Sequence, residues 1–165
     1  MADDYTRYLQ STWKMAKQRN PTITVHEANS FAWSTWRGCG GDLGAAMLYS
    51  AIVAQETNFQ HIDNVDGFGY SGALWEVVWR ICRKDGYNPT KHWCRTHRFT
   101  VNRLLAKRFY ALYIDYGPEE AIKRWHRGAY WKHSGKDRRE ALKYWRDINS
   151  ILRGHDAHSL VFNGR

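Results

Sequence analysis

The stretch "AIVAQETNFQ", residues 51–60, places one carboxylate where an apolar run meets polar chain. Glu56 follows four apolar or small residues and Gln55, and Thr57, Asn58 and Phe59 come next. A carboxyl at the end of a buried helix is partly removed from water, and desolvation disfavours its ionised form. The negative end of the helix dipole acts in the same direction. A carboxylic acid kept protonated near neutrality can donate its proton to a glycosidic oxygen as the bond breaks. Two readings are open on these residues alone: an ordinary helix-end acid, or a catalytic acid held half in the core. A second cluster, "HWCRTH", sets Cys94 between His92 and His97, but the spacing matches no standard zinc site. We expect no metal there and no cofactor elsewhere.

The elements that must position Glu56 read as helices. Period-two runs are few, only three prolines occur, and helical spacing dominates. Residues 3–19 carry Tyr5, Tyr8, Leu9, Thr12, Trp13 and Ala16 on one stripe, ended by Asn20-Pro21. A second helix is expected over 24–36, followed by the glycine-rich break "RGCGGDLG". Asp42 is the expected cap of the next helix, "LGAAMLYSAIVAQE", which is apolar all round and so belongs in the middle of the fold. "NVDGFGYSG" reads as a loop or short β-turn region. "ALWEVVWRICR" is a helix and "KDGYNPTKHW" a loop, and Thr96 is the expected cap of a long helix through Tyr116. Pro118 suits the first position of a short helix over 118–127. A last helix covers 136–153, and the tail "GHDAHSLVFNGR" is expected to be loose or a strand-like strap.

The 165 residues suit one domain, and 43% hydrophobic content excludes a disordered chain. Nine Trp and ten Tyr exceed core needs and suit stacking surfaces for sugars, bases or a protein partner. Lys plus Arg number 25 against 16 Asp plus Glu, a net charge of +9. That excess favours a polyanionic partner: nucleic acid, an acidic membrane or an anionic wall polymer. Three cysteines, Cys39, Cys82 and Cys94, make no disulfide framework and fit a reduced protein. "MADDYTRYLQ" has neither the basic start nor the apolar core of a signal peptide. No apolar run is long enough for membrane insertion.

Four blocks in order resemble the superfamily of lytic transglycosylases and goose-type lysozymes, most closely its phage-type members. "AIVAQETNF" resembles the catalytic-glutamate segment. "VDGFGYSGALWEV" resembles the Asp-Gly loop that leads into a hydrophobic turn. "YGPEEAIKRWHRGAYW" resembles the helix that ends in an aromatic, Asn, any residue and Gly, here Trp125, His126 and Gly128. "ALKYWRDI" resembles the terminal Tyr-Trp helix, giving Tyr144 and Trp145. The likeness covers roughly residues 43–151. Two positions depart from it: Trp75 or Glu76 stands where the family has Gln, and His126 where it has Asn. His both donates and accepts and takes up charge at mildly acid pH, whereas an ionised Glu76 only accepts.

The resemblance implies a mainly α, lysozyme-like single domain over 1–165, with 1–41 a helical extension and 42–153 the catalytic core. It implies cleavage of the β-1,4 bond between N-acetylmuramic acid and N-acetylglucosamine, with Glu56 as acid and then base. This superfamily often works with one essential carboxylate rather than the glycosidase pair. Asp63, Asp66 and Glu76 are the candidates for a second, Asp66 foremost. Trp75, Trp125, His126, Tyr130 and Tyr144 are the expected substrate contacts. The expected partner is the glycan strand of peptidoglycan rather than nucleic acid, met by a monomer after release from the cytoplasm, as a phage endolysin or a virion component. Two other readings stay open: a catalytically inactive assembly protein on the same scaffold, and a basic nucleic-acid-binding helical domain supported by "KRWHRGAYWKHSGKDRR".

Overall fold

The computed structural model describes residues 3–163; Met1 and Ala2 of the acidic start, and Gly164 and Arg165 of the tail, lie outside the described residues. The chain runs α1 (Asp4–Arg19), α2 (Val25–Gly38), α3 (Leu43–Thr57), β1 (Ile62–Asp63), β2 (Phe68–Gly69), α4 (Trp75–Lys84), α5 (Lys91–Thr96), α6 (Arg98–Tyr116), α7 (Pro118–Arg127), α8 (Gly135–Gly154) and α9 (His158–Phe162). The mainly helical expectation holds. Five helices start on a side-chain oxygen that accepts the N–H three residues on: Asp3, Thr24, Asp42, Thr90 and Ser134. No helix among the described residues is long and apolar enough to cross a membrane.

Every residue of α3 from Leu43 to Ala54 is buried. The helix can be apolar all round because α1, α2, α6, α8 and α9 pack about it. Residues of α1 and α2 belong to the same apolar cluster as α3, with Tyr8, Met15 and Phe31 fully buried. The polar side chains buried between α2, α3 and α6 are paired. The Asn102 amide donates to Ser34 Oγ (2.8 Å) and Thr35 Oγ1 (2.9 Å), and Tyr49 OH donates to Asn102 Oδ1 (3.2 Å). One amide thus ties α2, α3 and α6 and gives the buried Ser34, Thr35 and Tyr49 hydroxyls a partner. Gly38 lets α2 lie close on α6: a Cβ there would meet Arg103 O at 2.5 Å and Ala106 Cβ at 2.7 Å.

Three local expectations are corrected. The stretch read as the loop "KDGYNPTKHW" turns helical at Lys91, because Thr90 Oγ1 accepts from Trp93 N (3.0 Å). Thr96 is therefore no cap. It closes α5, and its hydroxyl donates back to Trp93 O (3.0 Å). The tail is neither loose nor a strap over 158–162: α9 forms there, with Val161 buried in the core and Phe162 set edge-to-face on Trp145 at 6.0 Å.

Candidate active site

Glu56 lies in the last turn of α3. Asn58 takes a left-handed conformation (φ 50°) and ends the helix, so the chain turns away immediately past the acid. Thr57 Oγ1 donates to Tyr70 O (2.6 Å) and to Val53 O (3.1 Å), which fastens the returning loop to the helix end. The loop is held open by the β1–β2 pair, Ile62 opposite Gly69 and Asp63 opposite Phe68. Its far end brings Ser71 and Gly72 alongside the acid. Gly72 has φ +62°, and a Cβ there would sit 3.4 Å from Glu56 Cβ. Glycine therefore allows the turn and leaves room at the carboxyl.

The result is a cleft of 360 Å³ lined by Glu56, Ser71 to Leu74, Val77, the Arg124–His126 end of α7, and Gly128. Among the described residues that line it, Glu56 is the one carboxylate. The residue is exposed to the cleft, yet enough protein surrounds the carboxyl for burial to raise its pKa above the ordinary value. A weaker opposing effect comes from the nearby hydroxyl of Tyr144 on α8, which lies beside the carboxyl without closing a hydrogen bond to it.

Tyr144 is 5% exposed and its hydroxyl, buried, has no hydrogen-bond partner among the described residues. Burial and the neighbouring Glu56 charge both push its proton affinity well above the usual phenol range. Its ring stacks on His126 with centroids 4.0 Å apart and planes 8° from parallel. His126 is pushed to a lower pKa by burial and by the charges of Arg127 and Lys143. The charging expected of it at mildly acid pH thus moves to lower pH, which favours the neutral imidazole. Arg127 of α7 is ion-paired with Glu140 of α8, which clamps the two helices that carry this stack. The Ser71 hydroxyl is also buried at the cleft with no hydrogen bond among the described residues.

The structure thus brings Glu56, Trp125, His126 and Tyr144 together. Trp125 lines the cleft with its ring braced edge-to-face on Tyr49 (6.0 Å) and Phe109 (5.8 Å). The other expected site residues are elsewhere. Asp66 is exposed in the loop turn, where its N–H donates to Asn64 Oδ1 (2.9 Å), so the turn-forming role describes it. Glu76 points to solvent and pairs with Arg80 one turn on. Asp63 is occupied by Lys91 (3.1 Å) and Arg95 (2.9 Å). Trp75 packs on Phe68 at 5.1 Å, outside the cleft lining. Tyr130 is 71% exposed in the α7–α8 connection, against His133. Ser71, Val77 and Arg124 were not anticipated. Val77 carried a legible signal, an apolar side chain one turn after Leu74 on a helix whose other face is buried. Ser71 and Arg124 carried none beyond their place beside Gly72 and Trp125.

In "HWCRTH", Cys94 is buried whereas His92 and His97 are exposed, and among the described residues no three His, Cys, Asp or Glu side chains converge to hold a metal.

No family model, curated protein or solved structure matches this chain.

Proposed function

We propose that the chain cleaves the β-1,4 bond between N-acetylmuramic acid and N-acetylglucosamine in peptidoglycan, on a lysozyme-like scaffold. The observation that carries the reading is the pairing at the cleft: a carboxyl raised in pKa at the end of a buried helix, with an otherwise unpartnered buried phenol beside it. Buried polar groups are rarely left unpaired, and a ligand is one natural partner. The resemblance of the four sequence blocks supplies the substrate class.

The chemistry follows from the arrangement. Protonated Glu56 donates to the leaving glycosidic oxygen as the C–O bond breaks and positive charge builds on the sugar ring. The resulting carboxylate accepts a hydrogen bond from Tyr144, which lowers the cost of its charge in the cleft. Glu56 then takes a proton from the muramyl 6-hydroxyl, giving a 1,6-anhydro product, or from water, giving a reducing end. No second carboxylate stands in the cleft lining, which favours a route in which the substrate's acetamido group shares the charge of the oxocarbenium-like state. Neutral His126 and the Ser71 hydroxyl supply hydrogen-bonding capacity along the wall, and the 360 Å³ volume falls within the usual range of small-ligand pockets, about 300–1,000 Å³.

The test is clearance of a purified peptidoglycan suspension by wild type beside Glu56→Gln. Clearance by wild type alone supports the proposal. Intact walls with both proteins over about pH 4 to 8 would refute it.

A further inference from the structure

The active-site reading leaves the net charge of +9 without a structural destination. A second cleft of 520 Å³ lies on another side of α8, between that helix and α9. Its polar lining includes the guanidiniums of Arg146 and Arg153, the imidazole of His158 and Asn149, with Trp145 and Phe162 forming the apolar wall. Arg146 stands two residues after Tyr144, about 200° round the helix, so the cleft faces away from Glu56. Arg153 follows Arg146 by seven residues, which places the two Cα atoms about 10 Å apart along one face of the helix.

No carboxylate lines this cleft. Neither Arg146 nor Arg153 has an ion-pair partner among the described residues, although several other cations in the molecule do. Arg146 makes one long bond, Nε to Leu142 O at 3.4 Å, and its terminal nitrogens have no hydrogen bond among the described residues. Two unneutralised guanidiniums with an imidazole and no acid make a site for divided negative charge. Arg recognises phosphate oxygens through paired N–H donors.

We propose that this cleft binds a phosphodiester chain, specifically a polyol-phosphate polymer of the cell wall, and so holds the protein at the wall while Glu56 works. The choice of a wall polymer over nucleic acid rests partly on the cleavage reading and partly on the aromatic wall. Trp145 and Phe162 are half-buried and set edge-to-face on each other at 81°, so they do not offer the open flat faces on which bases stack.

The test uses full-length Glu56→Gln protein as background, so that binding is read whether or not the wild type cleaves walls. Poly(glycerol phosphate) oligomers are titrated by calorimetry at low and at physiological salt, with a single-stranded oligothymidylate of similar charge as the second arm. Adding Arg146→Glu with Arg153→Glu is expected to weaken oligomer binding at least about tenfold and to flatten the salt dependence by roughly one to two log units per log unit of salt. Lys14→Glu with Lys136→Glu makes the same charge change at exposed lysines outside the cleft, and is expected to weaken binding less than about threefold. Circular dichroism checks folding, and Arg146→Gln with Arg153→Gln replaces the reversal pair if that pair does not fold. Equal loss in the two charge-reversal pairs, no binding of the oligomer, or tighter binding of oligothymidylate would overturn the proposal. A failure of cleavage with intact binding would count against the active-site reading alone.

Discussion

Glu56→Gln separates the chemistry from the scaffold because it keeps the side-chain shape and removes the proton. A positioned general acid contributes about 10²- to 10⁴-fold to rate, or about 3–5 kcal/mol of barrier, so clearance of peptidoglycan should fall by that factor. Stability should move the other way. The folded pKa of Glu56 is raised above its ordinary 4.5, so between that value and the folded pKa the native state binds more protons than the unfolded chain. Stability contributed by this group is therefore present at low pH and lost as pH rises through the window. At neutral pH the wild type carries the residual cost of a charge that the amide does not have. The residue is exposed to the cleft, so screening holds that cost below about 1 kcal/mol. For a domain of this size that corresponds to a Tm rise of about 1–3 °C at neutral pH, vanishing below the ordinary carboxylate pKa. Turbidity decay gives the rate, and calorimetric scans at acid and neutral pH give the stability difference. A variant within tenfold of wild-type activity, or one whose stability gain persists unchanged in acid, would refute the assignment of a proton-holding acid.

Tyr144→Phe removes the hydroxyl that draws the Glu56 pKa downward, so the alkaline limb of the activity profile should shift to higher pH; an unchanged profile would mean the two groups do not interact. Its Tm should hold or rise, since the buried hydroxyl has no other partner to lose. Thr57→Val keeps the β-branched shape but orphans Tyr70 O, at a cost of about 1–3 kcal/mol, seen as a Tm drop of several degrees with loss of activity as the Ser71–Gly72 wall loosens; an unchanged Tm would show that the loop is held elsewhere. All three thiols are buried and pushed up by that burial, Cys82 to about 12, so a disulfide reagent at mildly alkaline pH should find none in native protein and three after denaturation.

Most of the helical order was legible because periodicity and caps agree along this chain. The unbroken apolar run of Leu43–Ala54 announced the central helix, and Asp42 and Pro118 announced two starts. Thr90 is not legible as a cap because the apolar period resumes only after the short α5, which points to the more distant Thr96 instead. The α9 turn was illegible for a similar reason: five residues give no period, and the helix exists because Val161 finds the core. At the site, Trp125, His126 and Tyr144 were recoverable from the resemblance of the blocks that carry them, not from spacing. The carboxylates were not. Whether Asp63, Asp66 and Glu76 reach the cleft depends on cations at Lys91, Arg95 and Arg80 and on the Asn64 turn, which are tertiary or local competitions that residue type does not reveal.

Whether Glu56 breaks glycan strands is read from mass spectrometry of the soluble products after incubation with purified peptidoglycan. New muramyl chain ends are expected from wild type and none from Glu56→Gln, each end either one water lighter, from attack by the 6-hydroxyl, or reducing, from attack by water. Peptidoglycan recovered with its strand length unchanged by wild type, or equal release of chain ends by both proteins, would contradict cleavage by Glu56.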